Sequence, residues 1–181
     1  MTETAAVGTP LHFSVLYGLW VSTLSGGAIA AGLEHASNFL SVAQSQPSSG
    51  PLLVGHRALA HSLMHSGDYR AALAHFETAA SLYRPNEHRD SALHYGQDIG
   101  VSASVMLSWA LWHHGYPDRS ARASDRALAL SRRLGHAPTL SQAFVSPVSP
   151  RFSPGMSPPL APTGTIAWPS RVNTVSPYGR P

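Results

Sequence analysis

The chain has 181 residues, with 12 Arg and no Lys, nine acidic residues and no Cys. The absence of Cys excludes disulfides and thiolate metal sites, and the length fits one domain. Residues 1–146 hold nine Arg and nine acidic residues, whereas residues 147–181 hold three Arg and no acid. The high isoelectric point is therefore no evidence for a nucleic-acid-binding face on the folded part.

The N-terminus predicts neither a secretory signal nor a membrane span. Its first ten residues lack a basic region, and the apolar run over residues 13–24 is too short and too interrupted to cross a bilayer. We therefore expect a cytoplasmic protein. Residues 1–9 are expected to be disordered.

The first helix pair is predicted over residues 10–44. Thr9 and Pro10 suit the cap and first turn of a helix over residues 13–24. Gly26 and Gly27 end that helix, and its partner follows over residues 28–43. The residues expected on the apolar faces are Leu16, Leu19, Trp20 and Leu24, then Leu33, Ala36, Phe39, Leu40 and Ala43. Turn chemistry predicts a loop over residues 44–51.

The second pair is predicted over residues 52–84, as two helices around a turn at residues 66–68. Gly67 can adopt the left-handed conformation that ends the first helix. Asp68 can cap the second helix through its carboxylate. Small Ala60 is expected to face Ala72 and Phe76, which lets the two backbones approach closely.

The third pair is predicted at about residues 99–135. In the polar connection before it, residues 91–95 predict either an early helix start or a short turn. Gly115 separates helices over residues 101–114 and 119–134, and Gly135 is the expected C-cap. A final helix is predicted after Pro138 with Thr139 as its cap. Nine of the 35 residues from 147 to 181 are Pro, which predicts a disordered tail.

The second pair resembles the tetratricopeptide repeat, a helix-turn-helix unit of ~34 residues. The residues that match the repeat are Leu59, Ala60, Gly67, Tyr69, Ala72, Phe76 and Ala79. This resemblance implies an all-α fold, an antiparallel helix-turn-helix α-solenoid of about three helix pairs over residues 10–146. The turn glycines at positions 27, 67 and 115 mark the three pairs.

Three phrases carry a closer resemblance: SVLYGLW at 14–20, HYGQDIGV at 94–101, and the stretch from 107 to 136. They are similar to the helical-repeat region of large bacterial signalling proteins that also carry an adenylate/guanylate cyclase and an AAA-type ATPase domain. The chain has no GxxxxGK[ST] loop and no cyclase carboxylate pair. The resemblance therefore implies a non-catalytic interaction or regulatory module, a fragment of such a protein, with no cofactor.

The first helix of each pair lines the concave groove of a repeat array, and this register predicts a partner-binding groove. The predicted groove residues are Tyr17, Arg57, His61, Met64, His65, Trp109 and Trp112. Arginine and aromatic residues are typical of interaction hot spots, although Trp109 and Trp112 fit a core position equally well. We expect a protein or peptide partner, neither nucleic acid nor membrane, and self-association through exposed repeat ends.

Two alternatives stay open. His61 and His65 lie one helical turn apart, as in a zinc-binding helical domain, but a third ligand is needed and the Glu of HExxH is absent. The second alternative is a truncated or frameshifted, non-functional remnant, since the repeats stop where more are expected and the tail differs sharply in composition.

Overall fold

The computed structural model describes residues 8–88 and 90–144, and these residues form eight α-helices and no strand. The helices are α1 (Pro10–Ser25), α2 (Ile29–Gln44), α3 (Ser49–Ser66), α4 (Tyr69–Leu82), α5 (Ser91–Tyr95), α6 (Ile99–His113), α7 (Pro117–Leu134) and α8 (Ala137–Phe144). The all-helical prediction is confirmed for this part of the chain. The predictions for residues 1–7 and 145–181, including the tail, lie outside the described residues.

Helices that follow one another in sequence pack together. Within the pairs, α1 contacts α2, α3 contacts α4, and α6 contacts α7. Contacts between α2 and α3 join the first pair to the second, and contacts between α4 and α6 join the second to the third. α3 also contacts both α1 and α6, and we call these three helices the inner helices. The last helix, α8, packs on α6 and α7.

Local signals set the helix ends as the sequence predicts. Thr9 Oγ1 accepts the backbone N–H of His12 at 3.3 Å, and the Asp68 carboxylate accepts that of Ala71 at 3.0 Å. Gly67 ends α3 in the left-handed conformation, with φ of 91°, where a residue with a Cβ would be strained. Glycines at 27, 115 and 135 also have positive φ.

Large side chains and alanines form the core between the helices. Phe76 is fully buried in a cluster with Ala60, Ala72 and Ala110, so the predicted facing of these small residues is confirmed. A larger cluster joins α1, α2, α3 and α6 around Trp20 and Phe39. A third cluster joins α6 to α7 and α8.

Three local predictions are wrong. Leu19 is 46% exposed, and Tyr17 and Phe13 are buried instead, because α1 is apolar on all sides and its periodicity does not select a face. The loop predicted over residues 44–51 is shorter, since α3 already begins at Ser49. Thr139 lies inside α8, fully buried, and accepts the Asp98 backbone N–H at 3.0 Å rather than capping the helix.

Residues 91–95 form the separate short helix α5, which ends at Gly96 before α6 begins at Ile99. This is neither the early helix start nor the short turn that the sequence predicts. Among the described helices, none combines the length and apolar character that crossing a membrane requires.

Candidate functional site

Arg57 of α3 forms the centre of a polar cluster between the inner helices. The side chain is only 3% exposed. Its Nε donates to Ser102 Oγ of α6 at 3.1 Å, and its Nη1 donates to the Tyr17 hydroxyl of α1 at 3.1 Å. Its Cζ also lies 5.1 Å from the centroid of the Trp20 ring, within the range of a cation–π interaction. One arginine thus links three helices.

Two glutamine side chains extend this cluster. Gln97, which precedes α6, donates from Nε2 to the Tyr17 hydroxyl at 3.1 Å, and Gln142 of α8 donates from Nε2 to Ser102 Oγ at 3.3 Å. The oxygens of Tyr17 and Ser102 therefore each accept two hydrogen bonds. The Tyr95 ring packs on Tyr17 with centroids 4.8 Å apart, and burial raises the pKa of Tyr95 to about 12, with Tyr17 adding to the shift.

Among the described residues, no carboxylate forms an ion pair with Arg57. The one ion pair in this part of the chain joins Arg119 to Glu77 at 2.7 Å on the surface. The nearly buried Asp98 has other partners. Its Oδ1 accepts the Val101 backbone N–H at 2.9 Å as the cap of α6, and its Oδ2 accepts the Tyr83 hydroxyl at 2.9 Å. Burial and Asp98 together raise the pKa of Tyr83 well above its ordinary value.

His61 lies one helical turn after Arg57, with its ring 5.7 Å from that of Trp20. Burial, then the nearby Arg57 charge, then His65, lower the pKa of His61 to about 3. The imidazole is therefore neutral at physiological pH, and its buried Nδ1 has no hydrogen-bond partner.

The described residues give the His61–His65 zinc alternative no third ligand. His65 Nδ1 lies 2.9 Å from the His61 carbonyl oxygen and donates to it, which leaves Nε2 as the ring nitrogen of His65 that could bind a metal. Within residues 8–88 and 90–144, no group of three or more His, Asp or Glu side chains is placed to hold a metal ion.

The predicted groove residues fall into two sets. Tyr17, Arg57 and His61 lie together around Trp20, with the first two almost fully buried. His65 is exposed but contacts His61, with ring centroids 4.6 Å apart. The other three lie elsewhere: Met64 packs in the Phe76 cluster, Trp109 packs in the α6–α7 cluster, and Trp112 is 45% exposed. In the described chain, no hydrogen bond, ring contact or shared core cluster joins Trp109 or Trp112 to Arg57. The groove assignment of the whole set stays a prediction.

Sequence reasoning missed Trp20, Ser102, Gln97 and Gln142 as members of the arginine cluster. Trp20 and Gln97 stand in two of the three phrases that carry the family resemblance, so a signal was present for them. Ser102 and Gln142 stand in ordinary helical sequence, and nothing local marks them.

A second polar contact pairs Ser49 with His88 beside an open cavity of about 370 Å³. Their Oγ and Nε2 are 3.1 Å apart, a distance typical of a serine nucleophile and its base. However, His88 Nδ1 accepts the Arg84 backbone N–H at 3.0 Å. Nε2 of the neutral ring therefore carries the proton and donates to Ser49, so His88 cannot take the hydroxyl proton.

Comparison with known proteins adds no assignment: no family model matches the chain, and neither does any curated protein or solved structure that was compared with it. Over residues 8–88 and 90–144, the fold and the site define a helical domain in which a buried arginine cluster links three helices.

Proposed function

We propose that the chain is a non-catalytic, tetratricopeptide-like helical repeat module that binds a protein or peptide through the side formed by the inner helices. The observation that carries the proposal is the arginine cluster. Where α1, α3 and α6 meet, a purely structural contact would be expected to be apolar. Instead, Arg57, Tyr17 and Ser102 concentrate polar groups there, from helices far apart in sequence.

The helix packing also supports this proposal. Three helix pairs, each with a positive-φ glycine in its turn, contact their neighbours in sequence order, as expected of a repeat array. In such an array the buried Arg57 and Tyr17 form the floor of the binding side, and the exposed His65 and Trp112 form its rim. The fragment origin and the cytoplasmic location stay predictions.

Selection of peptides against the full-length protein tests this function. A random peptide library is displayed, binders are recovered, and their Kd is measured by fluorescence anisotropy for the wild type and for single variants. We expect Trp112→Ala to weaken binding about tenfold or more, since truncation of a hot-spot aromatic costs more than about 1.4 kcal/mol. Leu93→Ala is the matched control, because Leu93 is an 83% exposed apolar residue on α5.

Two results would contradict the proposal. One is that every selected peptide binds Trp112→Ala, His65→Ala and the wild type equally well. The other is that binding is lost only when residues 147–181 are deleted, which would assign recognition to the tail. Helical content, measured by circular dichroism, must be equal in all variants for the comparison to hold.

Self-association also stays a prediction, and one surface makes it testable. Leu11, Val15 and Leu19 are 60%, 50% and 46% exposed and follow one another at four-residue spacing along α1. Val15→Arg should lower any concentration-dependent association seen by sedimentation equilibrium. Unchanged association in this variant would exclude the α1 face.

A further inference from the structure

We propose that the exposed face of α7 is a second binding surface, which binds an acidic α-helix of a partner protein. The face is formed by Arg119, Arg122, Arg126 and Arg133, and we call it the α7 arginine face. It does not depend on the proposed function, because α7 is not one of the inner helices and packs mainly on α6 and α8. Three observations carry the proposal: how charge is distributed along the chain, how the arginines are spaced, and how few of them have a partner.

Positive charge is concentrated on α7. This helix, Pro117–Leu134, carries five Arg and two Asp, a net charge of +3. Outside α7, residues 8–144 carry four Arg and six acidic residues, a net charge of −2. The near-neutral total of these residues therefore hides two regions of opposite sign. Such a distribution attracts an anionic partner toward α7 rather than toward the other helices.

The spacing of the arginines places them on one side of the helix. Arg119, Arg122, Arg126 and Arg133 follow one another at intervals of three, four and seven residues, and all four are exposed. Residues at these intervals share one face of an α-helix, and this face is turned away from the alanines and serines that α7 buries. At 1.5 Å per residue the face is about 21 Å long, which matches about four turns of a partner helix.

Most of these guanidinium groups have no acidic partner. Among residues 8–88 and 90–144, the one ion pair joins Arg119 to Glu77 of α4. Arg122 and Arg126 lie four residues apart, a spacing at which like charges destabilise a helix. The fold therefore uses one of the four arginines for an ion pair and leaves the others in mutual repulsion. Carboxylates on a ligand would remove that repulsion and accept hydrogen bonds from the free donors in pairs.

The face favours an acidic protein helix over nucleic acid. Asp118 and Asp125 are also exposed on α7, each directly before an arginine of the face. A nucleic-acid backbone is negative along its whole length, so both carboxylates would repel it. A partner helix can instead place acidic residues opposite the arginines and neutral or basic residues opposite the aspartates, as charge complementarity requires. Acidic residues at three- and four-residue spacing on that helix repeat at the same interval as the arginines.

The test uses the full-length protein and a defined peptide as the probe. The peptide is fluorescein-labelled, alanine-based and helical, about 20 residues long, with Glu at three- and four-residue spacing on one face. Its Kd is measured by fluorescence anisotropy at about 50 mM and about 300 mM salt, which differ in screening. We expect saturable binding that weakens at the higher salt. At the lower salt Arg126→Glu should weaken binding about fivefold or more.

Two controls separate binding from folding and from net charge. Arg70→Glu is the matched variant, because Arg70 is an exposed arginine outside α7, and it should keep most of the affinity. A second peptide carries Lys in place of each Glu. It should bind Arg126→Glu more tightly than the wild type, a result that an unfolded variant would not give.

Several outcomes would overturn the proposal. One is the absence of saturable binding at low salt. Equal binding of a peptide with the same number of Glu spread around the helix would show that the arginine spacing is not recognised. Equal weakening by Arg70→Glu would show that only net charge acts. Tighter binding of a single-stranded oligonucleotide of about 20 thymidines would make the face a nucleic-acid surface instead. Because the peptide selection above reads Trp112 and His65, either proposal can fail without the other.

Discussion

Trp20 donates its indole N–H to Ser62 Oγ across 2.8 Å, and this buried hydrogen bond joins α1 to α3. Ser62 Oγ donates in turn to the Gly32 carbonyl oxygen of α2 at 3.3 Å. Trp20 is 2% exposed and Ser62 is fully buried. A single hydroxyl thus satisfies polar groups on two other helices, at a point where water cannot replace it.

Ser62→Ala should lower the free energy of unfolding by about 1–3 kcal/mol, since it leaves the Trp20 indole N–H buried and unpaired. Urea denaturation followed by circular dichroism measures this change. Ser66→Ala is the control on the same helix. Its exposed hydroxyl bonds only to the Leu63 carbonyl oxygen, and its loss should cost less than about 0.5 kcal/mol. Equal costs for the two variants would show that the Trp20–Ser62 bond does not stabilise the fold.

Phe76→Ala should lower the free energy of unfolding by about 3–5 kcal/mol, because the ring is fully buried and its removal leaves a cavity in its cluster. The measurement is the thermal or urea midpoint. Phe144→Ala provides the control, since Phe144 is 58% exposed at the end of α8. An unchanged midpoint for Phe76→Ala would contradict the packing of α3, α4 and α6 described above.

Gly100→Ala and Gly18→Ala should change stability in opposite directions. A Cβ at Gly100 would overlap the Tyr83 ring, which is held in place by its hydrogen bond to Asp98. We expect this variant to lose about 1–3 kcal/mol. A Cβ at Gly18, within α1, would meet nothing within 4 Å, and Ala there should add up to about 1 kcal/mol. Stability is measured by urea denaturation. A loss of stability in both variants would contradict the finding that the space beside Gly18 on α1 is open.

Stability should fall as the pH drops below 6.5, and His61 should account for part of the fall. The pKa of His61 is about 3 in the folded chain and 6.5 ordinarily, so between these values the unfolded chain binds more protons. Each pH unit inside this window costs at most about 1.4 kcal/mol from this residue. The pKa values of His56, His75 and His88 are lowered too, chiefly by burial, and they act in the same direction.

The His61→Gln variant isolates the contribution of this residue to the pH dependence of stability. Urea unfolding between pH 7 and pH 5 should show a smaller loss of stability in the variant than in the wild type, because Gln does not titrate. Equal pH dependence in the two proteins would mean that His61 is as accessible to protons in the folded state as in the unfolded state.

The sequence by itself determined where most helices begin and end. The signals that set these ends act on backbone groups within one helical turn. They are Gly67, the Asp68 carboxylate and the Thr9–Pro10 helix start. Their effect can therefore be predicted from neighbouring residues alone. The burial of Phe76 beside small alanines follows from the same kind of local pattern, because the spacing on two adjacent helices brings these residues together.

The tertiary structure alone decided how the polar side chains are used. Arg57 contacts Tyr17 and Ser102, which are 40 and 45 residues away in sequence, and Tyr17 contacts Gln97 across 80 residues. No periodicity in the sequence encodes such contacts. Arg57 was predicted to line a groove and is almost fully buried. Thr139 was predicted to cap α8 and instead accepts the backbone N–H of Asp98, just before α6. Burial of a polar group is stable only where distant partners satisfy it, and those partners are brought within reach only when the helices pack.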